Sequence, residues 1–117
     1  MNYETATDDE INEAVELASR FNNVDADVRI VTYNGMRKVM VNNYASPYGI
    51  TDFCNDWSAA GPIILEAKVD TWWEDTPGIE EWSVTKHVDG VDYYSCHKDN
   101  PLRAAMIVFL KMQGEEG

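Results

Sequence analysis

The sequence has few cysteines, no long apolar run and few basic residues. Its two cysteines, Cys54 and Cys96, form no spaced framework, and no basic region followed by an apolar block opens the chain. We therefore expect a protein of a reducing cytoplasm rather than a disulfide-stapled secreted domain. The most apolar block, residues 104–110, lies between Arg103 and Lys111. A bilayer-crossing helix needs roughly 20 apolar residues, so this block predicts no membrane span.

The scarcity of basic residues leaves a strongly acidic chain. Nine Lys and Arg stand against 21 Asp and Glu, giving a formal net charge of −12 at pH 7. Such a charge repels phosphate backbones and anionic lipid surfaces, so we expect no direct nucleic-acid partner and no membrane partner. Mimicry of DNA by the acidic surface is also disfavoured, because the carboxylates are divided between the first helix and a distant sheet rather than following one rod.

Length and composition favour one folded domain over residues 1–117. Hydrophobic residues make up 44% and aromatic residues 11% of the 117 residues. That content is too high for a disordered chain, and the length suffices to bury a core without disulfides or a metal. We therefore expect a single domain that folds by itself.

Local signals predict the first helix and two hairpins. Thr7 to Glu10 is typical of a capping box, and the following apolar spacing indicates an amphipathic helix that ends near Asn22 and Asn23, with an outer face of Asp9, Glu13, Glu16 and Arg20. Asn34-Gly35 and Asp89-Gly90 each predict a two-residue hairpin turn. Counting from these turns sets Val28 opposite Val41, Ile30 opposite Val39, Trp82 opposite His97 and Thr85 opposite Tyr94.

The middle of the chain gives weaker signals. Residues 42–61 are rich in Asn, Ser, Pro and Gly, which predicts an irregular crossing with one short turn near Trp57. Pro62 suits the first turn of a short helix that ends near Lys68. Residues 69–73 are typical of a strand, and Pro77-Gly78 of a turn after it.

The terminal helix is predicted to be the main element of the core. Asn100-Pro101 is a start signal, and apolar residues then fill most of the circumference up to Met112. Such a helix must be buried on several sides, and a partner-binding or dimer helix is the alternative. From this pattern we expect Phe109→Ala to lower stability by roughly 3 to 5 kcal/mol.

Together these elements predict an α+β fold. A small antiparallel sheet built from two hairpins would pack on the N-terminal and C-terminal helices, with a short central helix between them.

Three segments resemble the NinX-like proteins, small proteins of tailed phages named for the nin region of lambdoid phages. They are DDEINEAVELA at 8–18, FCNDWSAAGPIILEAKV at 53–69 and DNPLRAAMIVFLKMQ at 99–113. The likeness covers most of the chain, although Gly61 and Ala67 stand where relatives place tryptophan and often asparagine. The resemblance implies a phage accessory protein in the host cytoplasm, and it supplies no catalytic residues.

No constellation in the sequence predicts catalysis, a metal or a cofactor. The two histidines and two cysteines show no close-spaced ligand pair, which favours surface histidines and buried cysteine over zinc. Cys54 lies near Asp52 and Asp56, whose charges would raise its pKa and make it a poor nucleophile. Paired carboxylates such as Glu80-Glu81 are typical of a solvated surface. We therefore predict a protein that is not an enzyme and has no cofactor.

Aromatic residues and one arginine are the candidate binding groups. Alternation along the strand puts Trp72 and Trp73 on opposite faces, so one tryptophan should be exposed or line a groove. Arg103 in the first turn of an apolar helix opposes the helix dipole and needs a partner, either an acid such as Asp99 or Glu66, or an anionic ligand. The candidate site residues are Trp57, Trp72, Trp82, Tyr94, His97 and Arg103, and core or rim packing is the alternative role for the aromatic ones.

Two functional hypotheses follow. The first is a phage accessory protein that binds and modulates a host protein, plausibly one of defence or nucleic-acid metabolism. The second is a small-molecule or nucleotide sponge that uses an aromatic groove, with Arg29, Arg37, Lys38 or Arg103 for an anionic group. A homodimer through an uncovered sheet face or an exposed tryptophan is compatible with either.

Overall fold

The computed structural model describes residues 2–3, 5–21, 25–46 and 49–114. These residues form three helices and two three-stranded antiparallel sheets. The order is α1 Asp8–Arg20, β1 Val28–Tyr33, β2 Met36–Val41, β3 Tyr44–Ala45, α2 Trp57–Ala67, β4 Asp70–Thr76, β5 Ile79–Val88, β6 Val91–His97 and α3 Pro101–Met112. The predicted α+β class is confirmed.

Helix α3 is buried at the centre of the fold, as its sequence predicts. The side chain of Asn100 caps it by accepting from the Arg103 amide at 3.0 Å, and Pro101 occupies the first turn. Met106, Val108 and Leu110 are fully buried, and α1, α2, β5 and β6 pack around the helix. Phe109 is only half-buried and packs at the edge of this core. None of the three helices among the described residues has both the length and the hydropathy needed to cross a bilayer.

Helix α1 begins at the predicted capping box. Thr7 and Glu10 each accept the other's backbone amide through their side chains. The prediction that Glu16 lies on an outer acidic face is wrong, since Glu16 is 3% exposed. Its carboxylate accepts from the Thr51 amide and lies 2.8 Å from Nη1 of Arg20. The loop before α2 thus covers this side of α1, while Asn22 and Asn23 lie outside the described residues.

The first hairpin has the predicted register and belongs to its own sheet. Val28 lies opposite Val41, and Ile30 opposite Val39, with positive φ at both turn residues Asn34 and Gly35. Strand β3, which the sequence did not predict, pairs with β2. The sheet is tied to α1 by Arg37, whose Nη2 lies 2.6 Å from the Glu13 carboxylate.

The second hairpin also has the predicted register but lies in a different sheet. Trp82 is opposite His97 and Thr85 is opposite Tyr94. Strand β4 runs to Thr76, beyond its predicted end, and pairs with β5 through the Pro77-Gly78 turn. The expectation of one sheet built from both hairpins is therefore wrong, because β4 occupies the free edge of β5.

Helix α2 starts earlier than predicted. Its first residue is Trp57, and the Asp56 side chain caps it by accepting from the Ser58 amide at 2.9 Å. Pro62 lies inside the helix rather than at its start. Pro62, the sixth residue of the helix, removes one backbone hydrogen bond, and the Asp56 cap together with packing of Ile63 and Ile64 on the core offsets that loss. The helix ends where predicted, with Lys68 in the left-handed conformation.

Candidate functional site

Three of the six predicted site residues meet in one groove. Tyr94, His97 and Arg103 line a groove of about 490 Å³ between β6, α3 and the N-terminal segment. Lys111, about two helical turns further along the same side of α3, also lines it. In this groove the predicted cation lies with the His97 ring and the Tyr94 backbone carbonyl.

Arg103 is held by the N-terminal segment. Its side chain is 13% exposed, and Nη1 donates to the Asp8 carboxylate at 2.6 Å. Nη2 donates to the carbonyl of Ala6 at 2.6 Å and to that of Tyr3 at 3.3 Å. The predicted partners Asp99 and Glu66 are therefore wrong, because the chain segment before α1 crosses the start of α3. An anionic ligand would have to compete with Asp8 for this guanidinium.

The other donors of the groove are also fixed. Nδ1 of His97 accepts from the amides of Asp99 and Asn100 at 3.0 and 2.9 Å, so the ring proton is on Nε2. Nζ of Lys111 donates to the Tyr94 carbonyl at 2.8 Å and lies 5.7 Å from the centroid of the Tyr3 ring. The groove thus presents two cationic groups and the N–H donor of His97, each held in a fixed position by hydrogen bonds within the protein.

One face of the second sheet is covered by α3 around Val84, with Trp73 still 44% exposed at its far end, and the other face is open. Val84 and Tyr93 belong to the face that packs against α3 and the core. We call the other face the open sheet face. Its twelve strand positions are Asp70, Trp72, Glu74, Thr76, Ile79, Glu81, Ser83, Thr85, His87, Asp92, Tyr94 and Cys96. They include four carboxylates and no lysine or arginine.

Two aromatic side chains stand out from the open sheet face. Trp72 is 40% exposed and Tyr94 is 45% exposed, on either side of the buried Ser83. The hydrogen bond to Ser83 favours the ionised phenol, but the thiol of Cys96, partial burial and Glu81 outweigh it and raise the pKa of Tyr94. The Tyr94 hydroxyl therefore stays protonated and can donate a hydrogen bond.

The remaining tryptophans do not join this arrangement. Trp82 and Trp73 form an edge-to-face pair on the α3 side of the sheet, with ring centroids 5.5 Å apart. The prediction that Trp72 and Trp73 point to opposite faces is confirmed. Trp57 is 61% exposed at the first turn of α2. Trp57, Trp72 and Trp82 therefore do not converge on the Arg103 groove.

A polar network that sequence reasoning missed fixes the loop before α2. Asn12 is 4% exposed, accepts from the Cys54 amide and donates to Asp52, both at 2.9 Å. Asn100 donates to the Cys54 carbonyl at 2.7 Å. One sequence signal could have indicated it: Asn12 and Glu16 are one turn apart and directly follow Ile11 and Val15 of the buried stripe.

Cys54 lies inside this network and is not an activated thiol. It is fully buried, whereas Cys96 is exposed, so the expectation of buried cysteine holds for one of the two. Burial raises the pKa of Cys54 from 9.0 to about 12, and the Asp8 and Asp52 carboxylates add to the rise. Among the described residues, no three His, Cys, Asp or Glu side chains gather where they could hold a metal.

This raised pKa predicts a loss of stability in alkali. The folded state keeps the thiol protonated while the unfolded chain ionises it, so the stabilisation is complete below about pH 9 and is lost as the pH rises towards 12. We expect wild type to lose more free energy of unfolding than Cys54→Ala between about pH 8 and about pH 10.5. Urea denaturation of both proteins measures this, and equal losses would contradict it.

Comparison with known proteins agrees with the resemblance. A family model described as Bacteriophage P22, NinX matches residues 2–113. No curated protein and no solved structure gives a significant match. Since the match extends over nearly all of the 117 residues, from before α1 to past the end of α3, the chain belongs to the NinX family of phage proteins.

Proposed function

We propose that this protein is a non-enzymatic accessory protein of the host cytoplasm that binds a host protein and modulates it. The open sheet face is the observation that supports the proposal. It carries four carboxylates and two exposed aromatic side chains, and it has no lysine or arginine at its strand positions. A surface of this composition suits a protein partner, because aromatic side chains dominate the energetics of interfaces.

The charges of the open sheet face indicate a basic partner surface. Glu74 and Glu81 lie directly opposite each other on neighbouring strands. Like charges in such a pair repel, and a partner cation placed between them relieves this repulsion. An arginine is especially suited, since its guanidinium stacks on an indole ring such as that of Trp72 and pairs with two carboxylate oxygens. Host proteins that contact nucleic acid present such basic surfaces.

The proposal predicts which variants lose the partner. From host lysate, the wild-type protein should retain a stoichiometric host protein in a pull-down, and the complex should weaken as salt is raised. Trp72→Ala should lower the affinity for this partner by about 30-fold, as expected for a central aromatic contact. Glu81→Gln should lower it less, mainly through slower association.

The matched control is Trp57→Ala, which removes another exposed indole, at the start of α2 and outside the strands of the open sheet face. It should bind as wild type does. Failure to recover a stoichiometric partner at several salt concentrations would overturn the proposal. Equal binding by Trp72→Ala and wild type would show that the open sheet face is not the surface that binds the partner.

The groove supports a second candidate function, binding of a small anionic molecule such as a nucleotide. It presents Lys111, the Nε2–H of His97 and the Arg103 guanidinium, which is paired with Asp8, and so is less acidic than the open sheet face. A nucleotide that raises the melting temperature of wild type but not of Lys111→Gln would favour this sponge-like function. Stabilisation of both proteins to the same extent would place the nucleotide elsewhere.

A further inference from the structure

A second pocket lies where the last turns of all three helices meet, and no residue of the open sheet face lines it. It has a volume of about 280 Å³ and is lined by Ser19 of α1, by Ile63 and Glu66 of α2, and by Phe109 and Met112 of α3, among others. We infer that this helix-end pocket binds a small organic cation, namely an ammonium group attached to an apolar body.

The electrostatic field of the helix-end pocket favours a positive charge. Each helix carries a partial negative charge at its C-terminal end, equivalent to about half an elementary charge. Here three such ends converge, and among the described residues Glu66 supplies the only formally charged side chain of the lining. At α2 the terminal carbonyl of Lys68 already accepts from Nζ of Lys86 at 3.2 Å. At α3 the carbonyls of Leu110 and Lys111 also accept, from the amides of Gln113 and Gly114, so the field inside the pocket comes chiefly from Glu66 and the end of α1.

Basic side chains in the last turns of α1 and α3 could neutralise the partial negative charges of these helix ends, but they bind other groups. Arg20, in the last turn of α1, pairs with Glu16 and stacks on the Phe53 ring. Lys111, in the last turn of α3, donates to the Tyr94 carbonyl in the groove beside β6. Neither side chain lines the helix-end pocket. A cation near a helix C-terminus interacts favourably with the helix dipole. A cation that enters the pocket from solution should therefore bind favourably.

The lining also suits the apolar body and the N–H groups of such a cation. The half-buried Phe109 ring, with Ile63 and Met112 beside it, provides an apolar wall, and an ammonium group is attracted to an aromatic face. The buried Ser19 hydroxyl finds no hydrogen-bond partner among the described residues. Buried hydroxyls are usually paired, and a rotation of the Ser19 side chain would expose this shielded oxygen to an ammonium N–H.

Titration with 2-phenylethylammonium chloride, followed by amide NMR shifts of the whole protein, tests the inference. We expect saturable shifts at residues 18–19, 66–67 and 109–113. The neutral 2-phenylethanol should bind at least about five-fold more weakly at equal ionic strength, and phenylacetate should not bind detectably. Equal binding of the alcohol and the ammonium would overturn the inference, because the charge would then play no part.

Two glutamate variants with the same change of net charge separate this pocket from general attraction to an acidic protein. Glu66→Gln, at an exposed position of α2, should weaken the ammonium by about three- to five-fold without changing the fold. Glu81→Gln, on the open sheet face, should leave its affinity unchanged. Equal effects of the two variants, or shifts confined to residues near Trp72, would place the cation outside the helix-end pocket and refute the inference.

Discussion

Leu110→Ala is expected to lower the free energy of unfolding by about 3 to 5 kcal/mol. Leu110 is 0% exposed in α3, where helices and the second sheet pack around it. Truncation removes the transfer free energy of the side chain and leaves a cavity that close-packed neighbours cannot fill. Urea denaturation at pH 7 measures the change.

Phe109→Ala is the matched control on the same helix. The sequence alone predicts a cost of roughly 3 to 5 kcal/mol at Phe109. Because its ring is half-buried and borders the helix-end pocket, we now expect about 1 to 2 kcal/mol. A larger loss for Phe109→Ala than for Leu110→Ala would show that α3 is rotated so that Phe109, rather than Leu110, faces the core.

Arg103→Met is expected to lower the free energy of unfolding by about 2 to 4 kcal/mol. The substitution keeps an unbranched apolar stem but removes the guanidinium N–H groups that donate to the carbonyls of Ala6 and Tyr3 and to Oδ1 of Asp8. Asp8 is 43% exposed and can regain water, so the loss is smaller than for a fully buried ion pair.

Asp8→Asn provides the comparison for Arg103. It removes the charge of the ion pair while Arg103 keeps both carbonyl acceptors, so we expect less than half the loss of Arg103→Met. Thermal unfolding of both variants and of the double variant gives the coupling between the two side chains. A change of less than about 0.5 kcal/mol for Arg103→Met would contradict the structural role assigned to this arginine.

Features encoded by neighbouring residues could be predicted from the sequence. The Asn34-Gly35 and Asp89-Gly90 turns fix the register of both hairpins, since each turn allows a single alignment of its flanking strands. The capping boundaries at Thr7 and Asn100 are equally local. These signals act within a few residues, where competing long-range contacts have little influence.

Features that depend on distant contacts could not be predicted. Arg103 and Asp8 are 95 residues apart, and no local pattern pairs them. The assignment of the hairpins to separate sheets depends on whether β4 or the first hairpin takes the free edge of β5. At the candidate site, Tyr94, His97 and Arg103 meet because α3 folds back along β6, whereas Trp57 is carried away at the start of α2.

The buried position of α3 determines both candidate surfaces, because it covers one face of the second sheet and leaves the open sheet face to solvent. Hydrogen exchange of the backbone amides of residues 102–110 tests this position most directly. These amides should exchange only through global unfolding, more slowly than those of the peripheral hairpin at residues 28–41. Exchange at the rate of an unstructured peptide would contradict the central position of α3, and with it the assignment of the open sheet face.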